Sequence, residues 1–133
     1  MERTVTTQQC VEIVTSQAAA GARFAKAATT IKVAQIMQAA RPVHDAYEAE
    51  RKKMLEEYGE MDPATGALAS NPDGSIKFKK PTKRPEFEQR HRDLLQASTT
   101  VNVPRLTTGD LEADGVTPAA IFPLLPFVDA DPE

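Results

Sequence analysis

The chain has 133 residues, of which 41% are hydrophobic and 26% charged, and its formal net charge is −3. This size and composition are typical of one folded domain and exclude wholesale disorder, while the negative charge argues against a protein that coats nucleic acid. No stretch has the length of a membrane span, and from residues 1–4 we expect no secretory signal, because no apolar run follows a charged start. Cys10 is the only cysteine, so no internal disulfide can form.

The first predicted element is an Ala-rich helix. Thr6 or Thr7 can cap it, because a side-chain hydroxyl accepts hydrogen bonds from the free N–H groups of a first turn. The helix carries the apolar residues between Cys10 and Val14 and is expected to end near Gly21. Its polar positions are mostly Thr, Ser, Gln and Ala, so we expect it to pack against another part of the protein.

A longer helix follows and has the clearest periodicity in the chain. Apolar and aromatic residues recur at steps of three, four and seven from Val33 to Tyr58, which places them on one helix face. Pro42 removes one backbone hydrogen bond and should kink or split the helix. Gly59 follows the last apolar position and is placed to end the helix in a left-handed conformation.

Residues 60–85 contain turn signals instead of helical periodicity. The segments 62–66 and 71–74 combine proline and glycine in turn sequences. Between and after them lie residues 67–70 and 75–79, and in the latter Ile76 and Phe78 alternate with polar residues. This pattern predicts a β-hairpin or extended arm. A two-stranded hairpin is marginal alone, so it needs a helix, a third strand or another subunit to support it.

Three further elements complete the chain. Pro85 suits the first turn of a third helix that runs to about Ala97 with Phe87 facing inward. Residues 99–103 alternate again and are a candidate third strand. Thr117 and the proline after it open a short helix that later prolines limit to about two turns.

Together these elements predict an α+β fold that is mostly helical, with a long kinked helix, shorter helices and a small β-hairpin or three-stranded sheet. We expect one domain over residues 1–128, with the hairpin or arm at about 60–84. Residues 129–133 are expected to form a disordered acidic tail.

The order of three segments resembles that of a known family. Residues 47–59 read Tyr-Glu-Ala-Glu-Arg-Lys-Lys-Met-Leu-Glu-Glu-Tyr-Gly, residues 101–104 read Val-Asn-Val-Pro, and residues 110–125 include Asp-Leu-Glu, Gly-Val-Thr-Pro-Ala-Ala-Ile and Leu-Leu. Over residues 28–126 the chain resembles small proteins of tailed phages and prophages that form a domain of unknown function. The resemblance implies a phage origin and brings no catalytic residues. The Ala-rich first helix and the basic stretch before Pro85 depart from that pattern.

The side chains capable of chemistry lack the spacing of a catalytic or metal site. His44 and His91, taken with Cys10, Asp45 and Asp93, form no CxxC, HxxxH or HExxH pattern. A buried apolar role is the favoured interpretation for Cys10. The glycines form no phosphate-binding loop. We therefore expect no enzymatic activity, no cofactor and no metal.

Charge is distributed unevenly along the chain. A basic segment lies between residues 77 and 92 and consists of Lys77, Lys79, Lys80, Lys83, Arg84, Arg90 and Arg92. Every charged residue after Gly109 is acidic, beginning with Asp110, Glu112 and Asp114. A solvated charge imbalance explains this pattern without any function. The functional alternative is head-to-tail association, in which the basic segment of one copy meets the acidic region of the next.

The same basic segment has a second functional alternative, contact with the phosphates of packaged DNA. It is the weaker one, because only Phe78 and Phe87 are available nearby for base stacking. The chain also has an apolar string between prolines, Ile121, Phe122, Leu124, Leu125 and Phe127. Packing within its own molecule is the default for such a string, and docking into a neighbour is the alternative.

The expected function is that of a non-enzymatic bacteriophage structural or morphogenesis protein, a repeated accessory subunit at a head, neck or tail interface such as a head-tail connector. Its expected partners are copies of itself and other phage structural proteins, in the virion or in the host cytoplasm during infection, without a membrane. One alternative is a phage-encoded inhibitor that blocks a host defence protein. A weaker alternative is a DNA-contacting accessory protein, since nucleic acid is not the expected partner.

Overall fold

The computed structural model describes residues 1–24, 26–111 and 116–129. It confirms the α+β prediction, with one long helix, several shorter helices and two small sheets. Contacts group the chain into two compact units, a first unit of Met1–Asp45 with Ala97–Glu133 and a second unit of Ala46–Gln96. This is a finer division than the single domain expected over residues 1–128. The arm expected at about 60–84 lies within the second unit.

The first unit begins with a strand that passes directly into a helix. Strand β1 (Glu2–Thr6) is followed by α1 (Thr7–Thr15). Thr6 Oγ1 accepts from the Gln9 N–H at 3.2 Å and Gln9 Oε1 accepts from the Thr6 N–H at 2.9 Å, so the two residues form a capping box. Of the two predicted candidates, Thr6 is the cap and Thr7 is the first residue of the helix.

The predicted helix to Gly21 is two helices in the structure. Ser16 leaves the helical conformation, with φ −75° and ψ 104°, and so ends α1. Its hydroxyl then accepts from the Ala19 N–H at 3.1 Å and caps α2 (Gln17–Gly21). A serine can compete for backbone hydrogen bonds in this way, and this is why one helix becomes two.

Two short sheets close the first unit. Strand β2 (Ser98–Asn102) pairs antiparallel with β1 in a register that runs from Glu2↔Asn102 to Thr6↔Ser98. Strands β3 (Leu106–Thr107) and β4 (Val128–Asp129) pair in parallel. The strand predicted at residues 99–103 exists, but its partner is the N-terminal strand and not the arm. β1 was not predicted, because Val5 is its only apolar residue.

Helix α3 (Ala27–Tyr58) is continuous over 32 residues with Pro42 inside it. Pro42 does not split the helix, because a proline removes only one hydrogen bond from the ladder. The predicted apolar stripe is buried except at Val43, which is half-buried; Val33, Ile36 and Ala40 are its buried residues in the first unit.

The core of the first unit contains residues from helices α1, α2 and α3 and from strands β1, β2 and β3. Cys10 is fully buried in it, as predicted, and burial raises the pKa of its thiol. The cluster consists of Val5, Cys10, Ile13, Ala19, Phe24, Val33, Ile36, Ala40, Val101, Val103, Leu106, Leu111, Leu124 and Phe127. Aliphatic side chains outnumber the two phenylalanines, in keeping with the composition.

The prediction for Gly59 is wrong in its mechanism. Among the described residues, positive φ occurs only at Gly66 (φ 70°) and Gly74 (φ 86°). A Cβ at Gly59 would collide with Leu68 Cδ1 and lie 2.6 Å from the Leu55 carbonyl oxygen. Gly59 is thus required by close approach of the arm to the end of α3, and not by a left-handed backbone.

The arm forms three extended segments joined by isolated bridges, Gly59↔Phe78, Met61↔Leu68 and Ser70↔Ile76. Their backbones are linked in a closed ring of three hydrogen bonds. The Glu60 N–H donates to the Lys77 carbonyl at 2.7 Å, the Lys77 N–H to the Ala69 carbonyl at 3.1 Å, and the Ala69 N–H to the Glu60 carbonyl at 2.7 Å. The expected hairpin is therefore a three-segment arrangement without a regular ladder.

A short 3₁₀ helix (Pro81–Lys83) leads from the arm into α4 (Arg84–Gln96). The arm has the helical support that the sequence requires. Phe78 packs edge-on against Phe87 of α4, with ring centroids 5.5 Å apart, and the Lys79 N–H donates to the Tyr58 carbonyl at 3.0 Å. The second unit therefore holds the arm against α4 and the last turn of α3.

The remaining described elements belong to the first unit. A 3₁₀ turn (Gly109–Leu111) follows β3, and helix α5 (Pro118–Ile121) begins at the predicted cap, where Thr117 Oγ1 accepts from the Ala120 N–H at 3.3 Å. A C-terminal 3₁₀ helix (Phe122–Phe127) leads into β4. Asp129, expected to begin a disordered tail, lies in β4, while residues 130–133 lie outside the described part of the chain.

Candidate functional site

The two histidines are held by neighbouring side chains within their own units. His91 Nε2 lies 2.7 Å from Tyr47 Oη, and its ring stacks on Phe87 with centroids 6.2 Å apart. His44 Nδ1 is 3.3 Å from Asp45 Oδ1. Within the described ranges, no three His, Cys, Asp or Glu side chains come together in a way that could hold a metal ion.

A polar cluster surrounds the Tyr58 hydroxyl in the second unit. Tyr58 Oη donates to Glu86 Oε1 at 2.9 Å and accepts from Arg90 Nη1 at 3.0 Å. Arg90 Nη1 also donates to Glu57 Oε2 at 3.1 Å, and the guanidinium lies 5.4 Å from the centre of the Tyr58 ring. The hydrogen bond from Tyr58, assisted by Lys83, holds the pKa of Glu86 below its usual range.

This cluster was not predicted from the sequence. Tyr58 belongs to the predicted apolar stripe of α3, and its ring is buried accordingly. Its hydroxyl partners Glu86 and Arg90 are 28 and 32 residues further along the chain. Only the packing of α4 against the end of α3 brings them together, so no local pattern could have shown them.

The predicted basic segment is largely paired with nearby glutamates. Four of its seven residues form ion pairs within the second unit: Lys77–Glu60 at 3.6 Å, Lys83–Glu86 at 3.2 Å, Arg84–Glu88 at 3.1 Å and Arg90–Glu57 at 3.1 Å. Arg92 donates to Gln89 Oε1 at 2.9 Å. The segment is therefore not a uniform field of unpaired positive charge.

Three lysines of the segment line one cleft of ≈ 360 Å³. Lys79, Lys80 and Lys83 share this cleft with Glu57, Tyr58 and Glu86. Lys79 Nζ donates to the Glu56 carbonyl at 3.1 Å. The Lys80 ammonium has no hydrogen-bond or ion-pair partner among the residues that the structure describes. The arrangement can attract an anion.

The acidic region pairs within the first unit. Asp110 Oδ2 accepts from the Thr107 N–H at 3.0 Å and from Lys32 Nζ at 3.4 Å. The Thr107 N–H holds the pKa of Asp110 below its usual range. Asp129 forms an ion pair with Arg3. Both described acids of this region thus have partners in their own unit, while Glu112 and Asp114 lie outside the described residues.

The geometry of the C-terminal 3₁₀ helix (Phe122–Phe127) divides the side chains of the apolar string into a buried face and an exposed face. In a 3₁₀ helix, side chains three residues apart lie on the same face. Leu124 and Phe127 are fully buried, whereas Phe122 is 67% and Leu125 48% exposed. Ile121 is half-buried against the core. The string therefore packs within the molecule through one face and leaves a second, apolar outer face, made by Phe122 and Leu125, uncovered.

Comparison of the chain with family models, with curated proteins and with solved structures gave no match. No helix in the described ranges is long and apolar enough to cross a membrane.

Proposed function

We propose that the protein is a non-enzymatic structural or morphogenesis protein of a tailed-bacteriophage particle, where it is a repeated subunit at a head, neck or tail interface. The phage part of the proposal depends on the resemblance described for residues 28–126. The assembly part depends on one structural observation, the apolar outer face.

The outer face has the properties of an interface anchor. Burying a fully exposed large apolar side chain contributes about 1.5–3 kcal/mol. Phe122 is 67% and Leu125 48% exposed, so covering both contributes about 2–3 kcal/mol. Pro123 directly follows Phe122, and Pro126 directly follows Leu125, in the same 3₁₀ helix. Proline restricts the backbone, so little conformational entropy is lost when a partner binds. Few residues carry most of the energy in typical interfaces, and a rigid aromatic and aliphatic pair suits that role.

Charge has a smaller part in this proposal than the sequence suggested. The described acids Asp110 and Asp129 are paired with Lys32 and Arg3 in their own unit. Attraction between the basic segment of one copy and the acidic region of the next would have to compete with these pairs. It would also have to compete with the glutamates that already pair with the basic segment in the second unit. Exposed ion pairs contribute about 0–1 kcal/mol each, so the apolar face is the stronger candidate for affinity.

The test is the mass of the protein in solution, measured by light scattering coupled to size-exclusion chromatography. We expect the wild type to give a multiple of 14.5 kDa that increases with concentration. The double variant Phe122→Ser/Leu125→Ser should give 14.5 kDa. Ile31→Ser is the matched control, because Ile31 is 59% exposed on α3, and this variant should assemble like the wild type.

Mass spectrometry of particles purified from the phage or induced prophage that encodes the chain tests the location. We expect the protein to be present in many copies. A wild type that stays monomeric and is missing from particles would contradict the proposal and favour the alternative, an inhibitor of a host protein. A double variant that assembles as well as the wild type would show that the apolar outer face is not the interface.

A further inference from the structure

The second unit contains the cleft lined by Lys79, Lys80 and Lys83, here called the lysine cleft. It shares no residue with the apolar outer face of the first unit. It is an open cleft with a volume of ≈ 360 Å³, within the size range of pockets that hold small molecules. Its positive side chains come from one short stretch, Lys79 to Lys83, and its negative ones from the end of α3 and the start of α4.

A tight turn against the end of a helix brings the lysines together. The Lys83 N–H donates to the Lys80 carbonyl at 2.9 Å, which closes the 3₁₀ helix and returns Lys83 to the side of Lys80. Lys79 is fixed by its backbone N–H on the Tyr58 carbonyl and by its ammonium on the Glu56 carbonyl. The last carbonyls of a helix carry partial negative charge, so an ammonium is stable there.

The carboxylates of the cleft already have donors. Glu86 accepts from Tyr58 and pairs with Lys83, while Glu57 accepts from Arg90. Arg90 donates hydrogen bonds to Tyr58 Oη and to Glu57, and these bonds raise the pKa of its guanidinium. The cleft is thus lined by three lysines and two carboxylates, and Glu57 is also paired with Arg90, which does not line the cleft. Lys79 and Lys80 are the lining lysines without a carboxylate partner among the described residues. Both side chains are exposed to solvent.

We propose that this cleft binds a phosphate group through the ammonium groups of Lys79 and Lys80. Lysine binds phosphate as a point charge, and the ammonium groups of two lining residues provide several donors for its oxygens. The rings nearby are already engaged, because Tyr58 is buried and the half-buried Phe78 and Phe87 pack against each other. Recognition is thus of the phosphate itself, carried either by a small molecule or by a nucleic-acid backbone.

The first experiment is isothermal titration of the full chain with pyrophosphate at low ionic strength. Lys80→Gln and Lys79→Gln should each weaken binding by about tenfold, as expected for the loss of a charge-assisted hydrogen bond. Lys77→Gln is the matched control, because it removes the same charge from a lysine that pairs with Glu60 and does not line the cleft. It should change the affinity less than twofold. Glu57→Gln should tighten binding, since it removes a negative charge from the cleft wall.

The second experiment identifies the source of the phosphate. A short single-stranded oligonucleotide is added in competition with pyrophosphate. If the oligonucleotide displaces pyrophosphate and its own affinity falls equally in Lys80→Gln, the cleft binds a nucleic-acid backbone. If pyrophosphate stays bound, the cleft binds a small phosphate compound. An equal loss in Lys77→Gln and Lys80→Gln would show diffuse attraction and overturn the proposal, as would a wild type that gives no binding. Failure here leaves the assembly proposal intact, because that proposal is tested on Phe122 and Leu125.

Discussion

Leu124 and Leu125 are neighbours in one 3₁₀ helix, yet the structure gives them opposite environments. Leu124 is fully buried and Leu125 is about half exposed. Replacing a buried leucine by alanine costs about 2–5 kcal/mol, because transfer energy is lost and a cavity remains. We therefore expect Leu124→Ala to lower the free energy of unfolding by about 3 kcal/mol. Leu125→Ala should lower it by less than about 1 kcal/mol, since half of its surface is already in water.

Urea unfolding, followed by far-UV circular dichroism at low protein concentration, measures the difference. With a slope of about 2 kcal/mol per M, the midpoint should fall by about 1.5 M for Leu124→Ala and by less than about 0.5 M for Leu125→Ala. The comparison is internally controlled, because residue type, helix and chain position are nearly the same in both variants.

Two results would refute this reasoning. Equal losses in the two variants would mean that the 3₁₀ helix does not separate the string into an inner and an outer face. A larger loss for Leu125→Ala at low concentration would place that side chain in the core. If the outer face is an interface, the effect of Leu125→Ala should increase with protein concentration, because assembly stabilises the folded subunit by mass action.

Three further substitutions test separate features. Gly59→Ala should destabilise the fold by about 1–3 kcal/mol in urea unfolding, since a Cβ has no room beside Leu68. Thr6→Ala should cost about 1 kcal/mol through loss of the capping box with Gln9. Asp110→Asn should lower stability by about 1 kcal/mol at pH 7, because a charged acceptor is lost. The folded-state pKa of Asp110 is depressed, so its contribution is present above the unfolded pKa and disappears as pH falls through the folded value.

Each of these has a control within the chain. Gly21→Ala meets nothing within 4 Å at negative φ, so it should be neutral or slightly stabilising, and a loss as large as that at Gly59 would refute the steric explanation. Thr6→Ser keeps the hydroxyl and should retain the stability. Wild type and Asp110→Asn should become equally stable in strong acid. A difference that persists there would mean that the charge of Asp110 is not what stabilises the protein.

The sequence alone determined the features that depend on neighbouring residues. These features are a cap at Thr6 or Thr7, the cap at Thr117, the turns at residues 62–66 and 71–74 and the helical periodicity of the α3 stripe. All of them follow from contacts or spacings within a few residues. Such contacts have the same geometry in any protein, so residue type and spacing are enough to predict them. The α+β class follows from the same local patterns.

The tertiary structure decided everything that depends on distant partners. Strand β1 has little apolar pattern of its own and forms because β2, nearly a hundred residues away in the chain, pairs with it. Gly59 is required by the approach of Leu68, and not by the backbone conformation that its position suggests. In both cases the decisive energy comes from a segment that local spacing does not show.

The candidate sites divide in the same way. The sequence shows that lysine and arginine cluster between residues 77 and 92. It does not show which of these residues are paired and which line the cleft. The apolar string is equally visible, yet its division into an inner and an outer face depends on a 3₁₀ helix in place of an α-helix. Composition thus determined that charged and apolar side chains are present. Packing alone decided which of them remain available to a partner, because packing decides which are already buried or paired within the molecule.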